Sequence, residues 1–304
     1  MRFGTACLSG DNSLSDSIRV SHISTYSFGG AAFAAQRLHE GLLEQQVDSR
    51  FWYSPKSPNP VSKPTYDIMP LQPESDSKLL APIKLNIKRM QRKRARRDWR
   101  LHLDQRPEGY EVFSAARQFD DSYFDIRELD CDVLNLHWVA FLCDYPSFFA
   151  SVPHRMPVVW TLHDMNPFTG GCHYAGDCQS FQSGCGTCQQ VNNPKPDDVS
   201  RYGFQLKRRS MRSRKIHVVT PSRWLGQLAQ QSPVWPKHTT FSVIPYGLEL
   251  DQYRPLDRDQ SRRELGLDSN SFVLAFGAED VANRRKGMSL LIEALKDLST
   301  FKSG

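Results

Sequence analysis

The stretch "TLHDMNPFTGGCHYAGDCQSFQSGCGTC", Thr161 to Cys188, concentrates reactive side chains. It carries four of the seven cysteines, two histidines and two aspartates. Cys172, Cys178, Cys185 and Cys188 follow the spacing C-x5-C-x6-C-x2-C. The last pair has the spacing of a zinc knuckle, and four thiolates can close a tetrahedral structural site that leaves no position open for catalysis. His173 or His163 can replace one thiolate. Reduced packing cysteines and disulfides are the alternatives, and a cytosolic setting disfavours the disulfides. His163 ends the apolar run "PVVWTLH", and Asp164 beside it suits the orientation of that imidazole or of a loop amide. His137 ends an earlier run, "CDVLNLHW", as a pocket residue or a packing one.

Other candidates sit at turns. Gly29 and Gly30 follow the alternating "SIRVSHIS" and precede an alanine-rich helix start, where glycine lets a ligand approach the backbone and a helix N-terminus favours an anion. Ser222 and Arg223 follow "KIHVVTP", with Ser222 placed to cap a helix. Arg285 and Lys286 lie in "NRRKG", a basic element suited to a diphosphate.

The elements needed to hold these residues alternate along the chain. A strand, glycine turn, helix and second strand ("DSRFWY") open a parallel α/β sheet. Strands are expected again at Cys131 to Trp138, in "MPVVWTLHD", in "KIHVVTPS" and in "TTFSVIPYG", with helices between them. The expected fold class is therefore α/β, a Rossmann-like parallel sheet with helices on both faces. Residues 1–250 form its first domain, with an insertion at 54–118 and a Cys-rich loop at 164–200. Residues 251–268 are a linker. The apolar run "SFVLAFGA" and the helix after it, within 269–304, are the first β-α unit of a second Rossmann-like domain that stops short. One strand and one helix bury no core of their own.

Composition sets the class. The chain of 304 residues is 39% hydrophobic and 24% charged, a globular balance, with a net charge of +6. Between Lys84 and Arg100 lie nine Lys or Arg and one acid, Asp98. Such a run is either a solvated helix face or an attractor of anions. The N-terminus lacks the apolar core of a signal peptide, and no apolar run is long enough to span a membrane. The expected location is the cytoplasm, with peripheral contact to an anionic inner leaflet through 84–100. A nucleic-acid-binding protein is the competing class. Trp99 is the sole aromatic in the basic run, so no nucleic acid is expected as a partner.

Taken in order, "VSHISTYSFGGAAFAAQRLHEGL", "DVLNLHWV", "PVVWTLHDMNPFTGGCHY", "GCGTC", "VVTPSRWL", "VIPYGLELDQYRP" and "RRKGMSLLIEAL" resemble the signposts of family 4 retaining glycosyltransferases, in the branch that builds extracellular polysaccharides such as colanic acid. The resemblance implies the N-terminal half of a GT-B fold, in which two Rossmann-like domains face each other over a cleft. It implies transfer of a sugar from a nucleotide-sugar donor to a lipid-linked or polysaccharide acceptor, with no cofactor required for catalysis. It implies that His163 contacts the donor sugar and that Gly29 and Gly30 lie against the cleft. It implies that Arg285 and Lys286 grip the diphosphate, with Ser222 and Arg223 as further acceptor or phosphate contacts. The family often has an arginine after the glycine that follows the preceding strand; here Ala278 follows Gly277. The family's paired donor-site glutamates have no counterpart in these 304 residues, so the resemblance also allows a truncated homologue that binds without turnover.

Overall fold

The computed structural model describes residues 17–54, 68–70, 99–100, 103–117, 126 and 129–301. Most of the basic run at 84–100, and with it the expected membrane contact, lies outside these residues. The chain divides into a unit of Met1–Gly247 and a unit of Leu248–Gly304.

The first unit is built on a seven-stranded sheet in the order β3-β2-β1-β4-β5-β6-β7. The strands are β1 (Arg19–Ser24), β2 (Asp48–Tyr53), β3 (Ile68–Pro70), β4 (Val133–Leu136), β5 (Val158–Thr161), β6 (Ile216–Thr220) and β7 (Thr240–Val243). Every pairing is parallel. The helices are α1 (Gly30–Glu44), α2 (Tyr145–Ser151), α3 (Val199–Met211) and α4 (Arg223–Gln230). The order runs outward from β1 to β3, then returns and runs the other way from β4 to β7. Right-handed crossovers therefore place α1 on one face and the later helices on the other. The reversal leaves a switch point between β1 and β4, where ligands gather beyond the carboxyl ends of strands in open α/β sheets.

Burial explains why the strands read as apolar runs. Ile23, Leu134, Leu136, Trp160 and Val218 are fully buried, as expected of parallel strands covered on both faces. Trp160 packs edge-on against Trp235 and also meets Phe149, with ring centroids 6.0 Å apart, joining the sheet to the connection before β7 and to α2.

Two local expectations give way. Within 54–118, expected as an insertion into the sheet domain, Ile68–Pro70 pairs with β2 as a short edge strand of the sheet itself. A proline is tolerated there because an edge strand leaves one row of N–H groups unused. In the second unit the run Ser271–Ala278 takes no strand pairing. A strand needs a neighbour for its N–H and C=O groups, and Phe272 stands 92% exposed. That unit forms α5 (Arg258–Glu264), a 3-10 turn at Arg284–Lys286 and α6 (Met288–Phe301).

The Cys-rich loop is held close to α3. A Cβ on Gly170 would lie 2.2 Å from the Ser200 carbonyl oxygen, and one on Gly203 would lie 2.3 Å from that of Gly170. The two glycines face each other because the backbones touch. Asp198 caps α3, accepting from the amides of Ser200 (2.9 Å) and Arg201 (3.3 Å), and it also accepts from the amide of Cys188 (2.7 Å), which ties the loop to the helix start.

Candidate functional site

The site forms at the carboxyl ends of β1, β4, β5 and β7. The Thr25 amide donates to the Trp138 carbonyl at 2.7 Å and the Thr25 hydroxyl to that of Ala140 at 2.6 Å, so the segments leaving β1 and β4 are tied together at the switch point. Tyr26 stacks on Trp138 with ring centroids 5.2 Å apart. The Trp138 indole donates to Asp164 at 2.7 Å. Beyond β5 stands His163, whose Nε2 lies 3.1 Å from His137 Nδ1 and whose Nδ1 lies 2.7 Å from the Tyr246 hydroxyl. Tyr246, just past β7, is 44% exposed and stacks on His163.

Gly29 precedes α1 with φ 85°, a left-handed conformation that glycine adopts without strain. An added Cβ at Gly29 or Gly30 would meet no atom within 4 Å, so the space beside this turn is open. Ser222 caps α4, accepting from the Leu225 amide at 3.3 Å, and Arg223 beside it is exposed. Both follow β6, so in this all-parallel sheet they lie on the same edge as His163 and the Gly29–Gly30 turn. Arg285 and Lys286 belong to the second unit, in a 3-10 turn capped by Asn283, whose side chain accepts from the Arg285 amide.

The histidines at the centre of the site are held neutral by burial. Burial is the main cause that lowers His163 from 6.5 to about 4, with Asp164 pulling the other way. Burial also lowers His22 to about 3 and takes His137 well below the usual range. The imidazoles therefore work as neutral hydrogen-bonding groups near pH 7.

Asp164 does not bond to His163. Its Oδ1 accepts from the Asn166 amide at 2.9 Å, and its Oδ2 lies 2.5 Å from His173 Nδ1. His173 Nε2 in turn lies 2.7 Å from the Ser114 hydroxyl. Ser114, His173 and Asp164 thus reproduce the hydrogen-bond order of a serine-hydrolase triad. Ser114 is 1% exposed and also receives the Asn166 amide nitrogen at 3.0 Å, so the set braces the start of the Cys-rich loop and meets no substrate. Lys207 is fully buried on α3, donating to the carbonyls of Asn166 and Thr169, and burial lowers it to about 8.

Cys172, Cys178, Cys185 and Cys188 line one small cavity of about 20 Å³, with Phe113 and Phe181 beside them. Among the described residues, no group of three or more His, Cys, Asp or Glu is disposed to hold a metal ion. Burial raises Cys172 and Cys185 to about 12, which favours the thiol in this arrangement. The Gly170 amide donates to the Cys185 sulfur at 3.2 Å.

A second concavity, of about 1050 Å³, opens at the amino ends of β5 to β7. Arg208, Arg212, Arg214 and Lys237 are among its lining residues. It lies at the edge of the sheet opposite His163.

Comparison with known proteins adds a limited likeness. No family profile matches the chain. Over 72 residues it is 33% identical to the Escherichia coli (strain K12) protein described as "Putative colanic acid biosynthesis glycosyl transferase WcaC". The chain resembles a glycosyltransferase. The match spans 23% of this chain and 18% of the length of WcaC. Among solved structures, Acinetobacter baumannii MurG aligns over 77% of this chain and 68% of its own, at 11% identity and a TM-score of 0.26, too low a likeness to bear on the site.

Trp138 and Tyr246 were not selected from the sequence as site residues, and neither was His22. Tyr246 sits in "VIPYG", where the proline and glycine draw attention to a turn rather than to the phenol between them. No local spacing reveals that it meets His163.

Proposed function

We propose that the chain is part of a retaining glycosyltransferase that moves a sugar from a nucleotide-sugar to a lipid-linked or polysaccharide acceptor in cell-surface polysaccharide synthesis. In this reading residues 1–250 are the acceptor-side lobe, 251–268 link the lobes and the residues from Ser269 onward begin the donor-side lobe. What supports the reading is a neutral histidine beside aromatic rings and a glycine turn before a helix, all at the carboxyl edge of one parallel sheet.

In the reaction the bond from the sugar's anomeric carbon to the diphosphate breaks. A bond to an acceptor hydroxyl forms on the same face, and the hydroxyl's proton leaves with the diphosphate. The developing charges need fixed partners in a site from which water is excluded. His163 supplies a neutral ring nitrogen to a sugar hydroxyl. The amides of Gly29 and Gly30 and the positive end of α1 face the diphosphate or an anionic acceptor. Ser222 and Arg223 contact the acceptor or a phosphate from the β6 corner, and Arg285 and Lys286 supply cationic partners for the diphosphate. Asp164 serves through the loop it braces. The reaction takes place at the cytoplasmic side of a membrane, with residues 84–100 touching anionic lipid. No helix among the described residues is long and apolar enough to cross one.

The test is a transfer assay with the protein expressed from its whole reading frame, using radiolabelled uridine- and guanosine-diphosphate hexoses and membranes as the acceptor source. Label is expected in lipid-extractable or polymeric product. His163→Ala is expected to lower the rate about 10²-fold or more, the scale seen when one preorganised polar group is removed from a reacting centre. Incorporation by His163→Ala equal to that of the native chain would overturn the role of this residue. The absence of both transfer and nucleotide-sugar binding across the whole panel would overturn the assignment.

A further inference from the structure

We infer that His137, backed by His22, is a positioning residue that holds His163 in a single neutral tautomer, with Nε2 protonated and Nδ1 left as an acceptor for a ligand hydroxyl. This rests on the proposed role of His163 at the sugar site and goes beyond it by assigning the donor and acceptor sense of the contact.

Three imidazoles stand in series across the carboxyl edge of β1, β4 and β5. His22 Nδ1 lies 3.0 Å from His137 Nε2, and His137 Nδ1 lies 3.1 Å from His163 Nε2. Their ring centroids are 5.3 Å apart at each step, close to the spacing of neighbouring strands. The register places them so: His22 pairs with Asn135, and the two-residue period of a strand sets His137 on the same face as Asn135. The same period sets His163 on the face of Thr161, whose hydroxyl donates to Asn135 Oδ1 at 3.1 Å.

A neutral imidazole has one donor nitrogen and one acceptor nitrogen. Each link in the series needs one of each, so the whole series points in one direction. Asn135 sets that direction. Its oxygen accepts from Thr161, which turns its amide nitrogen toward His22 Nδ1 at 3.3 Å. An amide nitrogen only donates, so His22 Nδ1 carries a lone pair. His137 must then donate to it from Nε2, which leaves His137 Nδ1 as an acceptor. His163 donates to that acceptor from Nε2, and its own Nδ1 is left with a lone pair. In the structure this lone pair receives the Tyr246 hydroxyl at 2.7 Å.

Phenylalanine rings would fill the same space without burying ring nitrogens, and the series has a cost that packing alone does not explain. His22 Nε2 is buried and has no hydrogen-bond partner among the described residues. What the arrangement secures is the sense of the outermost nitrogen. A neutral lone pair accepts from a hydroxyl and repels a carboxylate or phosphate oxygen. His163 therefore selects a sugar hydroxyl, which takes the place of the tyrosine hydroxyl, and leaves the diphosphate to the backbone amides and cationic groups.

The experiment is two-bond proton–nitrogen correlation NMR on the full chain labelled with 15N-histidine at pH 7.5, with His163 assigned by its loss in His163→Gln. The expected native signature is a protonated, pyrrole-type Nε2 and an unprotonated, pyridine-type Nδ1. His137→Phe is expected to shift His163 to a mixture of tautomers. His137→Asn keeps an acceptor oxygen near the position of Nδ1 and is expected to restore the native signature. A native His163 protonated at Nδ1 would overturn the inference without any variant, so a failure of His137→Phe to fold does not protect it. An unchanged single tautomer in a folded His137→Phe would also overturn it. The readout needs no nucleotide-sugar, so it stands or falls separately from the transfer assay. If the tautomer is as inferred and no sugar is transferred, the proposed function fails and the series remains.

Discussion

At the scale of single residues, the candidate site is built on neutral polar groups held by burial. His22, His137 and His163 all have folded pKa values below the 6.5 of an exposed histidine, chiefly through burial. The unfolded chain therefore takes up protons first as pH falls. Stability is fully present above about pH 6.5 and is lost as pH falls toward 4 and then 3, each histidine contributing up to about 1.4 kcal/mol per pH unit. Urea unfolding midpoints at pH 7.5 and 5.0 are expected to show a clear drop, and His163→Gln should reduce that drop. Equal midpoints at the two pH values would contradict the buried neutral state. Lys207 gives a second residue-scale outcome. Lys207→Met keeps the bulk but removes the ammonium donor from the Thr169 carbonyl and from the Asn166 carbonyl, which still accepts from the Thr169 amide. Losing a partner for buried acceptors costs about 1–3 kcal/mol, measurable as a lower unfolding midpoint with near-native circular dichroism.

At the scale of elements, the Cys-rich loop and α3 meet in close backbone contact. Gly203→Ala places a methyl carbon 2.3 Å from the Gly170 oxygen. Overpacking of this kind costs about 1–3 kcal/mol, and thermal unfolding of Gly203→Ala should show it. A Gly203→Ala protein as stable as the native one would show that the loop and helix are not in contact. The four cysteines belong to the same element. With Cys172 and Cys185 raised to about 12, their thiols should alkylate slowly in the folded chain at pH 8 and rapidly once it is unfolded. Mass spectrometry after brief iodoacetamide treatment distinguishes the two states.

Much at this scale was readable from sequence. "SIRVSHIS" announces β1 by alternation, and the glycines before an alanine-rich helix announce the turn at its end. The cap at Ser222 is evident from residue type. The short strand Ile68–Pro70 was hidden because three residues among prolines and serines carry no period. Ser271–Ala278 shows the reverse: an apolar run states a preference, and pairing needs a neighbouring strand. The series of histidines could not be read at all as a series. His22, His137 and His163 lie far apart in sequence, and their alignment follows from the strand order β1-β4-β5, which hydropathy does not reveal.

At the scale of the whole molecule, the strand order puts the candidate site at one edge of the sheet and a basic groove at the other. The carboxyl edge gathers the histidines, Trp138, Tyr246 and the glycine turn. The amino edge presents the basic groove that includes Arg208, Arg212 and Arg214. Size and charge favour that groove as a binding surface, whereas topology and hydrogen bonding favour the switch point. The two readings are separated by where a nucleotide-sugar binds. The direct measurement is an NMR titration of the 15N-labelled full chain with a panel of uridine- and guanosine-diphosphate hexoses, following backbone amides and histidine rings. A binding member of the panel is expected to shift the amides of Gly29 and Gly30 together with the ring of His163, while Arg212 and Arg214 stay fixed. Shifts confined to residues 208–217, with the glycine turn and His163 unmoved, would contradict it.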